Sequence, residues 1–310
     1  MPHSLCVLGG TGFIGSALAA RLAADGHDIK LLSRYPARHR ELTVLPTLRL
    51  VRADVHDPEV LKGEFRDRDV VINLVGILNE RGFGGHGFRH VHAELTEKVV
   101  AACRSIGVRR YLHMSALNAD ATRGPSHYLR SKGQGEDLVR SGCADGPAFV
   151  IFRPSVVFGP GDSLLNRFAG LLRRMPGVFP LACAEARFAP VYVGDVVEAF
   201  ARCLDNPDIA GLSLELCGPE VVTLEHIVRL AAQASGVRRL ILPLPRPLAR
   251  VQAAIMDFVP GKPFSTDNYR SATVDSVCTQ NGLARLGIVP RSLRAMLRQS
   301  VVPLRAGARS

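Results

Sequence analysis

Short apolar runs alternate with stretches of helical spacing along the first half of the chain. Leu5–Leu8, Ile29–Leu32, Leu48–Val51, Val70–Val75 and Tyr111–Met114 are short, predominantly apolar runs. That pattern predicts strands buried on both faces. Between them, Ser16–Ala24, Pro58–Phe65 and Ala93–Ile106 carry helical periodicity; a further helix over Ser126–Arg140 precedes a strand at Phe149–Phe152. Strands interleaved with helices of this length predict βαβ units, an α/β architecture and a parallel sheet. After Pro154 the pattern loosens. Gly159-Pro160-Gly161 marks a loop, Leu164–Leu172 a helix, and Val191–Cys203 a strand and helix that return to the sheet. The expected organisation is a main unit over residues 1–155, rejoined by 190–215, and a smaller C-terminal lobe from 156–189 and 216–310.

Composition narrows the class. Of 310 residues, 47% are hydrophobic and 22% charged, which is enough apolar material for a sizeable core. No apolar run approaches the roughly 18 residues that span a bilayer. Strand-like sequence from Leu5 leaves little room for a leader, so the expectation is a cytoplasmic protein. Seven cysteines at 6, 103, 143, 183, 203, 217 and 278 contain no C-x-x-C pair. They read as reduced core thiols, with neither disulfides nor a metal site.

The net charge of +11 is concentrated at one end: residues 226–310 hold 13 Lys/Arg against Asp257, Asp267 and Asp275. Such a basic section suits a membrane-associated protein partner, an anionic membrane surface or a phosphorylated ligand, or is simply arginine on solvated faces. The absence of a reader motif argues against nucleic acid.

Gly9-Gly10-Thr11-Gly12-Phe13-Ile14-Gly15 follows a strand and opens a helix, the context of a dinucleotide-binding turn. Gly9 permits the tight turn, Gly12 lets backbone approach a pyrophosphate, and Gly15 allows helix to pack on strand. Free N–H groups at the helix start then hold the phosphates. The fold class is therefore a Rossmann-type doubly wound sheet with a smaller C-terminal substrate lobe. The second strand ends in Ser33-Arg34, with Arg38 and Arg40 behind it, where NAD sites usually carry a carboxylate. A guanidinium there can pair with a 2′-phosphate, which favours NADP(H) over NAD(H). Asp54 and Val55 follow the third strand near the adenine position; Asn73, Leu74, Val75 and Gly76 end the fourth, beside the cofactor ribose.

Tyr128 and Lys132 lie four residues apart on a predicted helix and share a face. A tyrosine can supply the proton that a carbonyl needs on accepting a hydride, and a nearby ammonium is expected to lower its pKa. The same lysine can reach the nicotinamide ribose, and Ser115 can orient the substrate oxygen.

The glycine loop, Asn73–Gly76, Ser115 and Tyr128-Leu-Arg-Ser-Lys132 resemble the extended or atypical branch of the short-chain dehydrogenase/reductases. Arg153-Pro154-Ser155 and Pro190–Asp195 resemble later signatures of that branch, which implies that Pro154 and Ser155 contact the nicotinamide. His113–Asn118, Tyr128–Lys132 and Pro190–Val193 are also similar to the NADPH-holding accessory subunits of respiratory complex I and their bacterial relatives, which are often described as epimerases or dehydratases. That likeness implies held NADPH and leaves catalysis open. Two departures stand out: Ser115 and Tyr128 are only 13 residues apart, and His92 stands where the branch usually has Asn. The functional alternatives are an NADP(H)-dependent oxidoreductase or epimerase, and a non-catalytic module that holds NADPH in a membrane complex. Pro247–Val259, apolar at helical spacing, reads either as a core helix of the smaller lobe or as an interfacial helix at a membrane.

Overall fold

In β1 (Ser4–Leu8), Leu5 and Val7 face one side of the sheet and Cys6 and Leu8 the other, and all four are fully buried. This double burial explains the unbroken apolar run. The computed structural model describes residues 2–175 and 177–300. Around β1 lie β2 (Asp28–Ser33), β3 (Leu48–Arg52), β4 (Val70–Asn73), β5 (Arg110–Met114) and β6 (Ala148–Pro154). With a seventh strand, Ser213–Leu216, they form one parallel sheet in which β1 sits between β2 and β4, and the seventh strand lies outside β6. The winding reverses between β1 and β4, which opens a crevice at the C-terminal ends of the strands.

Leu18, Leu22, Val196 and Phe200 cover one face of the sheet; Phe65, Val99, Val100 and Cys103 cover the other. The helix Val193–Arg202 brings the chain back to the sheet, and its Phe200 stacks on Phe152 of β6 at 3.8 Å between ring centroids. β4 stops two residues earlier than its apolar run suggests. There Asn73 Oδ1 accepts the Val75 N–H at 3.1 Å, turning the backbone out of the ladder. The long helix after β4 begins with a π-helical turn, His90–Glu94, before running α-helically over Leu95–Ile106. Such turns are concentrated at functional sites, and this one carries His92.

The C-terminal elements pack at the mouth of the sheet. The helix Leu224–Ala234 packs on Leu164–Arg174, and strand Leu240–Pro243 runs parallel to Val178–Leu181. The helix expected over 247–259 spans Arg246–Met256 and fully buries only Ala249 and Ala253.

One expectation is overturned. Cys217 and Cys278 form a disulfide, while Cys6, Cys103, Cys143, Cys183 and Cys203 are free. The partners are 61 residues apart and meet because the segment around Asn281 docks beside the seventh strand, with Glu215 Oε2 accepting the Thr279 and Gln280 N–H groups. Sequence spacing carries no trace of that contact.

Candidate active site

The glycine loop turns as its residue types require. Gly9 has φ +74°, and a Cβ there would meet Leu74 C and Val75 N at 2.9 Å, so the loop and the end of β4 touch through bare backbone. At Gly15 a Cβ would come within 2.4 Å of Gly10 Cα, which is how the helix Phe13–Ala24 sits so close to the turn. Gly10, which motif spacing did not single out, has its own constraint: a Cβ would strike the Leu31 side chain at 2.6 Å.

Gly12 differs from these. It is exposed, and a Cβ would meet only Gly9 O at 3.3 Å. It is also the N-cap residue of the Phe13–Ala24 helix, whose first N–H groups receive no side-chain cap and whose first turn has no acidic residue. Uncapped donors and the positive end of a helix behind a bare glycine fit a pyrophosphate. Thr11, Phe13 and Ile14 flank this opening half-buried.

Ser33 and Arg34 end β2, next to β1 in the sheet. Ser33 Oγ accepts the Tyr35 N–H at 3.2 Å, which fixes the turn. Arg34 is exposed and makes no ion pair among the described residues, while Arg38 lies over the Tyr35 ring at 4.8 Å. Asp54 Oδ1 caps the next turn by accepting the His56 N–H, with Val55 between them half-buried.

On the other side of the crevice, Asn73 is spent internally. Its Oδ1 holds Val75 N, and its Nδ2 donates to Tyr111 Oη, which bonds His113 Nδ1. Burial pushes His113 down to about 3, so this imidazole is neutral. Leu74, Val75 and Gly76 therefore present backbone, not side chains. Pro154 O accepts the Leu117 N–H, and Ser155 Oγ donates to Ser276 O at 2.7 Å. The Ser155 hydroxyl is thus committed to the C-terminal segment.

Tyr128 and Lys132 lie one turn apart on the helix His127–Gly142, and Lys132 reaches the loop that follows β4. Lys132 Nζ donates to Met114 O at 3.0 Å and lies 3.3 Å from where a Gly76 Cβ would be. Burial pushes this lysine down to about 8. Tyr128 is half-buried against Phe88 and His92, and its hydroxyl makes no hydrogen bond to the described residues. The expectation that the lysine depresses the phenol is not met: enclosure, followed by the charge of Asp267, raises Tyr128 to about 12. Desolvation wins here because the ammonium is turned to a backbone carbonyl.

His92 organises this corner. Its Nε2 accepts the Ile77 N–H at 3.1 Å, so Nδ1 carries the proton and donates to Ser131 Oγ at 2.9 Å. Ser131 in turn donates to Tyr128 O. Burial holds His92 well below the usual histidine range, consistent with that neutral tautomer. The residue in place of the usual Asn thus ties the β4 loop to the helix of Tyr128.

Ser115 faces a buried carboxylate. Its Oγ donates to Glu136 Oε1 at 2.6 Å; Arg153 Nε binds the same oxygen at 2.7 Å, and Arg140 Nη2 binds Oε2 at 2.8 Å. Arg153 Nη2 also reaches Oε2, making a bidentate pair. Glu136 lies four residues beyond Lys132 on the same helical face, the one sequence signal that could have found it.

Asp267 is the other residue that sequence reasoning missed. It sits on the short helix Thr266–Ser271, and its two oxygens accept the N–H groups of His127 (2.7 Å) and Tyr128 (3.1 Å). The C-terminal lobe thereby caps the helix that carries Tyr128. A cavity of about 220 Å³ borders this cap, lined by Phe83, Phe88, His127, Lys262, Asp267 and Arg270 among others. Asp267→Asn should lower the phenolate absorbance midpoint of Tyr128 and cost about 1–2 kcal/mol in thermal unfolding, because a charge-assisted cap becomes a neutral one. An unchanged midpoint would show that Asp267 does not act on the phenol.

Comparison with known proteins agrees with this geometry. Residues 5–213 match the model of the NAD dependent epimerase/dehydratase family. The chain is 30% identical over 296 residues to the mitochondrial NADH dehydrogenase (ubiquinone) 1 alpha subcomplex subunit 9 of Rattus norvegicus, covering 93% of this chain and 76% of that protein. It is also 30% identical over 258 residues to a ceramide reductase of Caulobacter vibrioides, covering 82% and 77% respectively. The UDP-glucose 4-epimerase of Thermus thermophilus, solved in complex with NAD, superposes with a TM-score of 0.74 at 22% identity over 96% of this chain and 97% of that one. At that identity the likeness speaks for the fold alone.

Proposed function

The chain belongs to the NAD dependent epimerase/dehydratase family, and on that premise we propose that it is an NADP(H)-dependent oxidoreductase or epimerase acting through Tyr128 and Lys132. The observation that carries this reading is the Tyr128 hydroxyl: it is unpartnered among the described residues, on a half-buried ring packed against Phe88 and His92, one helical turn from Lys132. When bound, the nicotinamide supplies or accepts the hydride. The phosphates would lie on the N–H groups after Gly12, and a 2′-phosphate on Arg34. Tyr128, neutral at physiological pH, gives its proton to the substrate oxygen as charge develops there. Lys132 would hold the nicotinamide ribose. Ser115 would contribute as an acceptor, its own proton being held by Glu136.

Arg34 supports NADP(H) as the cofactor. NADPH should bind this protein about tenfold or more tightly than NADH in a fluorescence titration, since a guanidinium–phosphate pair is a strong, bidentate contact. Equal affinities would remove the assignment.

The second reading is a module that holds NADPH without turning it over, within a respiratory or quinone-linked membrane complex. It is favoured by the likeness to the rat mitochondrial subunit and by the engagement of the Ser115 proton. Mass spectrometry of ligand released from purified protein separates the two: retained NADPH supports holding, and ready exchange supports catalysis. No helix among the described residues is long and apolar enough to cross a membrane, so any membrane role is peripheral to these elements.

A further inference from the structure

The helix Arg246–Met256 is built inside out. Its inward positions are Ala249 and Ala253, which pack with Ala182 and Tyr269. Its outward positions carry the large apolar side chains: Leu248 is 54% exposed, Val251 55%, Ile255 60%, and Phe258, in the turn that follows, 80%. The spacing 248, 251, 255, 258 is that of a single helical stripe. A helix stabilised by its own domain points such residues inward, and monomeric proteins seldom leave a contiguous stripe of them in water. Of the fourteen large hydrophobic side chains exposed among the described residues, seven fall between Leu240 and Val259.

Basic residues outnumber acidic ones nearby. Between residues 238 and 270 the chain has Arg238, Arg239, Arg246, Arg250, Lys262 and Arg270 against Asp257 and Asp267. Both aspartates are already engaged: Asp257 accepts from Thr266 N and Oγ1, and Asp267 caps the helix of Tyr128. Arg250, on the same helix, is exposed, and neither it nor Lys262 makes an ion pair among the described residues. An apolar ridge in a segment with six basic and two acidic residues matches a layer that offers acyl chains beneath anionic headgroups. A protein partner of this helix would have to supply an apolar groove and acidic groups together.

We propose that this face, Leu248, Val251, Ile255 and Phe258, with Arg250 on the same helix and Lys262 next to Phe83, docks the protein peripherally on an anionic phospholipid surface. Phe83 belongs to the same surface, its ring 5.7 Å from that of Phe258 and 4.2 Å from Lys262 Nζ. Phe83 and Lys262 also line the cavity next to His127, so a docked bilayer adjoins the cavity that borders the helix of Tyr128. The inference is independent of the redox reading, because docking needs neither cofactor nor turnover.

The full chain should co-sediment with vesicles containing phosphatidylglycerol and much less with phosphatidylcholine alone, and binding should weaken with salt. Val251→Asp with Ile255→Asp should abolish binding while leaving the melting temperature and NADPH affinity unchanged, since these side chains face solvent. Arg250→Glu with Lys262→Glu should weaken binding about fivefold or more for each site reversed. Failure to bind anionic vesicles, or binding that survives the aspartate pair, overturns the proposal. So does a dimer in sedimentation velocity that the aspartate pair dissociates in the absence of vesicle binding, which would make the face a contact between copies. If turnover is absent but vesicle binding follows these expectations, the docking proposal stands and the catalytic one falls.

Discussion

Tyr128→Phe should lower turnover by about 10²–10⁴-fold, the usual contribution of a positioned proton donor, while leaving NADPH affinity unchanged. The change removes one oxygen that bonds to none of the described residues and keeps the ring contacts with Phe88 and His92. Stability should therefore hold, so a loss of rate reports chemistry. The pH profile carries a second signature. With the phenol raised to about 12, Tyr128 stays protonated across the physiological range and suits the reducing direction. Lys132, pushed down to about 8, is charged below that pH and neutral above it. Reduction should be level at acid-to-neutral pH and decline as pH rises through about 8, where the ammonium that would hold the cofactor ribose loses its charge. Steady-state rates over that interval check this, and turnover in the phenylalanine variant equal to that of the unaltered protein would leave the holding role.

Arg34→Asp should invert the cofactor preference. It removes a bidentate contact to a 2′-phosphate and installs a carboxylate that repels the phosphate but can accept from a ribose hydroxyl. Two charge-assisted hydrogen bonds at about 1.5–2 kcal/mol each amount to roughly 10²–10³-fold in affinity. NADPH binding should fall by that factor and NADH binding should hold or improve, as read by paired titrations. Arg34 is exposed and unpaired among the described residues, so the substitution should not disturb the fold. A parallel loss of both cofactors would place the 2′-phosphate elsewhere.

Much of this site can be read from sequence because its chemistry is local. Gly9, Gly12 and Gly15 act within one turn, Arg34 follows its strand directly, and Tyr128 and Lys132 are one helical turn apart. The predominantly apolar runs determined the parallel sheet, since only strands covered on both faces tolerate them.

What tertiary structure alone decided are contacts between residues distant in the chain. Asp267 reaches the N-terminus of the Tyr128 helix across 139 positions and, with the surrounding enclosure, reverses the pKa shift that the neighbouring lysine suggested. Glu136 joins Ser115 to Arg153, His92 ties the β4 loop to the Tyr128 helix, and Cys217 meets Cys278 where the segment around Asn281 docks beside the seventh strand. The apolar stripe on Arg246–Met256 divides the same way. Its periodicity is written in the sequence, but which side faces water depends on what packs there, and Ala249 and Ala253 let the helix lie with its larger side chains outward. Periodicity specifies that a helix has two faces; burial against the rest of the molecule specifies which one is left over.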